Sequence, residues 1–134
     1  MSRDAFSSPD APLAVGPYSQ AVASGNHVFL SGQTPIDPAT GALVDADVPG
    51  QAQRCFDNLE AVLTAAGLTF DDVVKVNVYL TSMDDFADMN AVYARQFSEP
   101  FPARTTVAVA ALPLGARIEI ELVASRQRRG QAEA

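Results

Sequence analysis

The chain of 134 residues is expected to fold as one α+β domain, ordered β-β-α-β-α-β-β, with both helices on one face of an antiparallel or mixed sheet. Three observations lead there. Apolar residues recur at helical period from Ala52 to Ala66. A strictly alternating run fills residues 72–81. Two extended apolar runs then close the chain on either side of residues 113–115. The length suffices for one core, and neither a repeat nor a linker interrupts it.

Taken in order, residues 1–15, with Pro9 and Pro12 ahead of Gly16-Pro17, read as an extended arm. Residues 19–24 and 27–32 are strand-like and flank Gly25-Asn26, a two-residue hairpin signal. Residues 35–41 (PIDPATG) are turn-rich. Asp47 is placed to cap the first helix, Pro49 sits in its first turn and Gly67 is its stop. Ala52, Cys55, Phe56, Leu59, Val62, Leu63 and Ala66 form its apolar face. Cys55 lies mid-stripe and reads as a small buried hydrophobe. In the run DVVKVNVYLT, alternation places Val74, Val76, Val78 and Leu80 on one side; Val73, Lys75, Asn77 and Tyr79 take the other. Ser82 and Asp85 have capping-box spacing at the start of a second helix, which turns Phe86, Met89, Tyr93 and Phe97 inward. The last two strands are expected at 104–112 and 116–125, joined by a tight turn. The first of these is apolar on both faces, and two helices on one side of a sheet cannot cover both. A second copy of the chain is the expected cover.

Composition narrows the chemistry. There are 9 basic and 16 acidic residues, a net charge of −7. The chain has one His (His27), one Cys (Cys55), one Lys (Lys75) and no Trp. A disulfide framework and a structural zinc site are excluded, and a catalytic triad would have to run through His27 alone. His27 opens a strand beside a turn and reads as polar surface. Residues 126–134 (RQRRGQAEA) read as a solvated, disordered basic tail, which leaves the body at −9 and makes nucleic acid an unfavourable partner. No stretch resembles a signal peptide or a membrane span, and with the free Cys this points to the cytoplasm.

Several blocks carry a family pattern: GPYSQAV (16–22), FLSGQTPIDPATG (29–41), DDFADMNAVYARQF (84–97) and PARTTVAVAALPLGARIEIELVA (102–124). In this order they resemble the Rid/YjgF family, formerly also called the L-PSP endoribonuclease family, over nearly the whole chain. The resemblance implies a chorismate-mutase-like fold, a homotrimer with pockets between subunits, and hydrolysis of reactive 2-enamine and 2-imino acids to 2-keto acids and ammonia. It implies that Arg104 holds the substrate carboxylate. Tyr18, Ser31, Gly32 and Asn90 match pocket-lining positions, and Glu119 matches the acidic residue associated with the hydrolytic water. Thr106 stands where many members have Cys, at a position that touches the water chiefly through its backbone carbonyl. The link between Phe97 and Phe101 is shorter than in some members and bears on selectivity for the substrate side chain.

These residue types suit the chemistry. A guanidinium grips a carboxylate with two parallel hydrogen bonds, where Lys offers a point charge. Imine hydrolysis needs a placed water, an acceptor for its proton and a donor at nitrogen. It requires no nucleophile, metal or cofactor, so orientation is the expected source of acceleration. If residues 113–115 close a simple hairpin, Arg104 and Glu119 lie roughly 16 Å apart at about 3.3 Å per residue. Either a bulge shifts the register, or the two meet across a subunit boundary, the option favoured by the doubly apolar strand. Alternatives are a member specialised for another enamine, an RNA-cleaving or translation-inhibiting protein, and a trimeric ligand-binding module without turnover.

Overall fold

Alternating Val and Leu side chains make the strand Val73–Leu80 (β4) apolar along one side, and it lies inside the sheet with strands on both edges. The computed structural model describes residues 3–126. Around β4 stand Asp4–Phe6 (β1), Ala21–Ser24 (β2), His27–Gln33 (β3), Ala103–Ala108 (β5) and Ile118–Ser125 (β6), with helices Val48–Ala65 (α1) and Phe86–Ala94 (α2). The spatial order is β1-β2-β3-β6-β4-β5. Every neighbouring pair is antiparallel except β4–β5, which the α2 crossover makes parallel.

The first helix forms as its sequence dictates. Asp47 Oδ1 accepts from the Gly50 N–H at 3.0 Å. At the other end Gly67 takes φ +76°, and the N–H groups of Gly67 and Leu68 donate to the carbonyls of Thr64 and Leu63, each at 2.9 Å. This is a Schellman stop, closed by the buried pair Leu63 and Leu68. The stripe from Ala52 to Leu63 is buried against Val28, Leu30, Ile118, Ile120 and Leu122 of β3 and β6. Beside it Phe56, Phe70, Tyr93 and Phe97 form an aromatic cluster with ring centroids 4.8 to 6.0 Å apart.

Six expectations change. The arm is not only a strap: Asp4–Phe6 adds a strand to β2, and buried Gln20 fastens the segment behind it. The last two strands form no hairpin, because β4 lies between β5 and β6 and the turn at Pro113–Gly115 belongs to a connection across it. The penultimate strand also stops at Ala108 rather than running to 112. In β4 a register shift between Val73 and Lys75 buries Val73 and leaves Val74 exposed, reversing the expected faces at that end. Ser82 caps a 3-10 turn, Met83–Asp85, ahead of α2, and Asp85 pairs with Arg117 at 2.8 Å instead of completing a capping box. Arg126, placed in the tail by the sequence, docks on the β2–β3 turn through Asn26 and Gly25; the rest of the expected tail lies outside the described residues.

Both helices cover one face. The other carries Phe29, Asn77, Tyr79, Val107, Glu119 and Glu121, with Phe29 and Val107 well exposed.

Candidate active site

The candidate residues separate into two clusters on opposite faces of the sheet. The first is built at a bulge. Between Leu30 and Gln33 the β3–β6 ladder slips, so Ser31 and Gly32 have no registered partner on β6. The Glu119 carboxylate occupies the space above Gly32: a Cβ added there would lie 2.1 Å from Oε2 and 3.0 Å from Cδ. A side chain at position 32 would push the Glu119 carboxylate from the place it occupies. Ser31 holds the neighbouring segment, its N–H donating to the Gln20 carbonyl at 2.9 Å and its Oγ to the Ser19 carbonyl at 2.6 Å. Tyr18 stands half exposed beside them, and a cavity of about 620 Å³ is lined by Tyr18, Ser31, Gly32, Glu119 and Glu121.

The two carboxylates differ in their surroundings. Glu121 accepts hydrogen bonds from Asn77 Nδ2 at 3.1 Å and from the Tyr79 hydroxyl. Donating to that carboxylate, with burial added, pushes the Tyr79 phenol up to about 12. Burial, and then the nearby Glu121 charge, raises the Glu119 carboxyl above the usual carboxylate range. Glu119 is thus a stronger base than an exposed glutamate.

The second cluster lies under α2. Arg104 on β5 turns toward the helices, and its Nη1 donates to Asn90 Oδ1 at 2.7 Å. The guanidinium stacks over the Tyr93 ring at 4.6 Å and near the Phe86 ring at 5.5 Å. Phe86, Asn90 and Tyr93 are spaced to share one helix face. They fix the plane of the guanidinium, and among the described residues no carboxylate pairs with it. A pocket of about 430 Å³ opens beside Arg104, walled by Phe101 and Pro102. Burial raises the Tyr93 phenol while the Arg104 charge opposes it. Tyr93 Oη and Thr106 Oγ1 are buried without a hydrogen-bond partner among the described residues. Thr106 follows Arg104 by two residues on the same face of β5.

The fold therefore groups Tyr18, Ser31, Gly32 and Glu119, and separately groups Arg104, Asn90 and Thr106. It does not join the groups. Arg104 is level with Val76 and Glu119 with Tyr79, two strand spacings away, so their backbones are about 14 Å apart and their side chains point oppositely. The cradle of Phe86 and Tyr93 and the Asn77–Tyr79–Glu121 network were not singled out from sequence. Spacing could have revealed the cradle; the network needs knowledge of the β4–β6 pairing. Buried Cys55 has its thiol raised well above its ordinary value, chiefly by burial, which makes it a poor nucleophile.

Residues 8–126 match the family model described as Endoribonuclease L-PSP. The chain is 52% identical over 126 residues to the DfrA protein of Myxococcus xanthus, covering 92% of this chain and 96% of that one. It is 47% identical over 121 residues to the 2-iminobutanoate/2-iminopropanoate deaminase of Escherichia coli strain K12, covering 88% of this chain and 94% of that one. The solved structure of RidA from the Antarctic bacterium Psychrobacter sp. PAMC 21119 aligns with a TM-score of 0.88 at 47% identity, over 92% of this chain and 99% of that one.

Proposed function

The chain belongs to the L-PSP endoribonuclease family, also called the Rid/YjgF family, and on that premise we propose that it hydrolyses reactive 2-enamine and 2-imino acids to 2-keto acids and ammonia. The observation that carries this reading is the half-buried Arg104. Asn90 and two aromatic rings orient its guanidinium at an open pocket, and among the described residues no carboxylate pairs with it. In a chain of net charge −7, an arginine that escapes pairing is suited to an external carboxylate.

The chemistry follows from the substrate. The enamine tautomerises to its imine, and water adds to the C=N carbon as its proton passes to a base. The resulting carbinolamine loses ammonia as the C–N bond breaks and the C=O bond forms. Glu119, raised above the ordinary range, takes the proton more readily near neutral pH than an exposed carboxylate. Arg104 fixes the carboxylate end, Tyr18 and Ser31 line the pocket, and the backbone carbonyl of Thr106 helps to place the water. The site is completed between subunits of a homotrimer, with the Arg104 cluster of one copy facing the Glu119 cluster of the next. The opposed clusters and the exposed Phe29 and Val107 on the uncovered sheet face support that assembly.

Generating 2-aminoacrylate in situ with a serine or threonine dehydratase tests the reading. The protein should accelerate pyruvate release, and Arg104→Ala should reduce this about a hundredfold, as expected for losing two charge-assisted hydrogen bonds, while remaining folded. Full activity in that variant would remove Arg104 as the anchor. RNA cleavage that survives in the purified variant, without imine hydrolysis in the wild type, would support a nuclease instead.

A further inference from the structure

Glu119 and Glu121 share one strand and one face, yet the fold treats them differently. They alternate on β6, so their Cα atoms are roughly 7 Å apart at about 3.3 Å per residue, and both rise on the uncovered side of the sheet. From there they diverge. Glu119 leans toward β3, where its Oε2 fills the space that a Cβ on Gly32 would need. Glu121 leans toward β4, and its Oε1 accepts from Asn77 Nδ2 at 3.1 Å and from the Tyr79 hydroxyl. Asn77 is directly opposite Glu121, but Tyr79 is directly opposite Glu119. The Tyr79 hydroxyl thus passes by its nearest carboxylate and donates diagonally to the other. Both bonds join paired strands of one chain and do not depend on what covers the face.

Two carboxylates this close titrate as a pair, because the charge on one raises the proton affinity of the other. Donors decide which one keeps its charge. Two donors at Glu121 favour its ionised form, so the proton is left to Glu119. Burial and the Glu121 charge raise the Glu119 carboxyl, in the same direction. The surroundings do not reverse that order. On β3, Ser31 and Gly32 are not ionisable, and Tyr18 across the cavity is a neutral phenol. Lys75, one residue pair beyond Asn77, has its Nζ on Thr105 Oγ1 at 2.8 Å, and Arg117 is turned to Asp85. Cys55, which feels the Glu119 charge, is buried with its thiol raised. In the proposed assembly the Arg104 cluster of the next copy also faces this cavity, and the substrate carboxylate that it holds offsets its charge.

We propose that Asn77 and Tyr79 are positioning residues: by donating to Glu121 they keep it charged and place the proton accepted by the carboxylate pair on Glu119, inside the cavity. The proposal rests on the deaminase reading for its reaction and adds two residues to it. The water oxygen bonds to the iminium carbon as the water's proton passes to Glu119. Glu119 returns that proton to the amino nitrogen, and the C–N bond breaks with its electron pair leaving on ammonia. The hydroxyl proton then passes through Glu119 to the ammonia, giving ammonium, as the C=O bond forms. A proton held on Glu121 instead would sit one residue pair away, outside this exchange.

The test uses the intact protein carrying glutamate labelled with carbon-13 at the carboxyl, followed by NMR against pH. The signals of Glu119 and Glu121 are assigned by their loss in Glu119→Gln and Glu121→Gln. In the wild type the Glu119 signal should titrate at higher pH than the Glu121 signal. Tyr79→Phe and Asn77→Ala should each draw the two midpoints together, as the pair begins to share its proton. Midpoints that neither variant moves, or a wild type in which Glu121 titrates at or above Glu119, would overturn the proposal. Activity on 2-aminoacrylate gives a second readout. In Glu121→Gln the acidic limb of the kcat/KM profile should move to lower pH, and kcat at pH 7 should fall severalfold, well short of the loss of about a hundredfold or more in Glu119→Gln. A structural role alone would lower the whole profile without moving its limb, and that result also counts against the proposal. A wild type that does not accelerate pyruvate release would sink the deaminase reading, and the carboxyl titrations would then decide the placement of the proton by themselves.

Discussion

Arg104 and Glu119 show how far a single residue's role depends on its neighbours. From sequence, Arg104 could equally be a surface arginine paired with one of many acids. The Asn90 contact and the Tyr93 and Phe86 rings give it a fixed plane instead. Because the grip depends on that plane, Arg104→Lys should not rescue Arg104→Ala: a point charge cannot make two parallel bonds, and kcat/KM should remain at least about tenfold below wild type. Glu119 leads to a pH prediction. Its carboxyl is raised in the folded chain, first by burial and then by Glu121, so folding favours the neutral form. That contribution to stability is fully present below the ordinary carboxylate pKa of about 4.3 and is lost as pH rises through the raised value. Glu119→Gln should therefore become more stable than wild type as pH rises from about 4 to about 7, and the two should converge in acid. A parallel dependence in thermal melts of both proteins would refute the raised carboxyl. The sequence named both residues but could not show what tunes them.

Elements follow local rules where the sequence is periodic and depart from them where a distant strand intervenes. The first helix keeps its expected cap, stop and buried stripe because each depends on residues within a few turns. The final pair of strands does not form a hairpin. After α2 the chain returns parallel to β4 by a helical crossover, which fixes β5 at the sheet edge and leaves the other side of β4 to β6. Residues 113–115 look like a hairpin turn locally, and nothing nearby reveals the strand between. The N-terminal arm is similar: its position depends on Gln20, buried, with hydrogen bonds to Ser8 N–H, Ser8 carbonyl and Pro12 carbonyl at 2.7, 3.2 and 2.8 Å. Gln20→Leu should cost about 1–3 kcal/mol in denaturant unfolding by leaving buried backbone groups unpaired, and should make the arm more susceptible to protease. Unchanged cleavage near Pro12 would mean that the arm is held by other means.

At the scale of the whole molecule, the opposed clusters support the proposal that the site is completed between copies of the chain. If Arg104 of one copy serves Glu119 of the next, two inactive variants can repair one another. Co-expressed Arg104→Ala and Glu119→Gln chains, mixing at random, should restore about a quarter of the sites of a symmetric ring. A mixed preparation as inactive as either parent would place both residues in one chain's site, and sedimentation of a stable monomer would exclude the assembly. The sequence by itself determined the α+β class, the caps and apolar faces and the scarcity of His and Cys, and it named Arg104 and Glu119 as candidates. These are encoded in nearest neighbours and in residue chemistry. Only the tertiary structure decided that β4 separates β5 from β6, that a bulge opens Gly32 beneath Glu119, and that the clusters face away from each other. The physical reason is that strand pairing brings together residues far apart in the chain, and side-chain direction alternates with every residue of register.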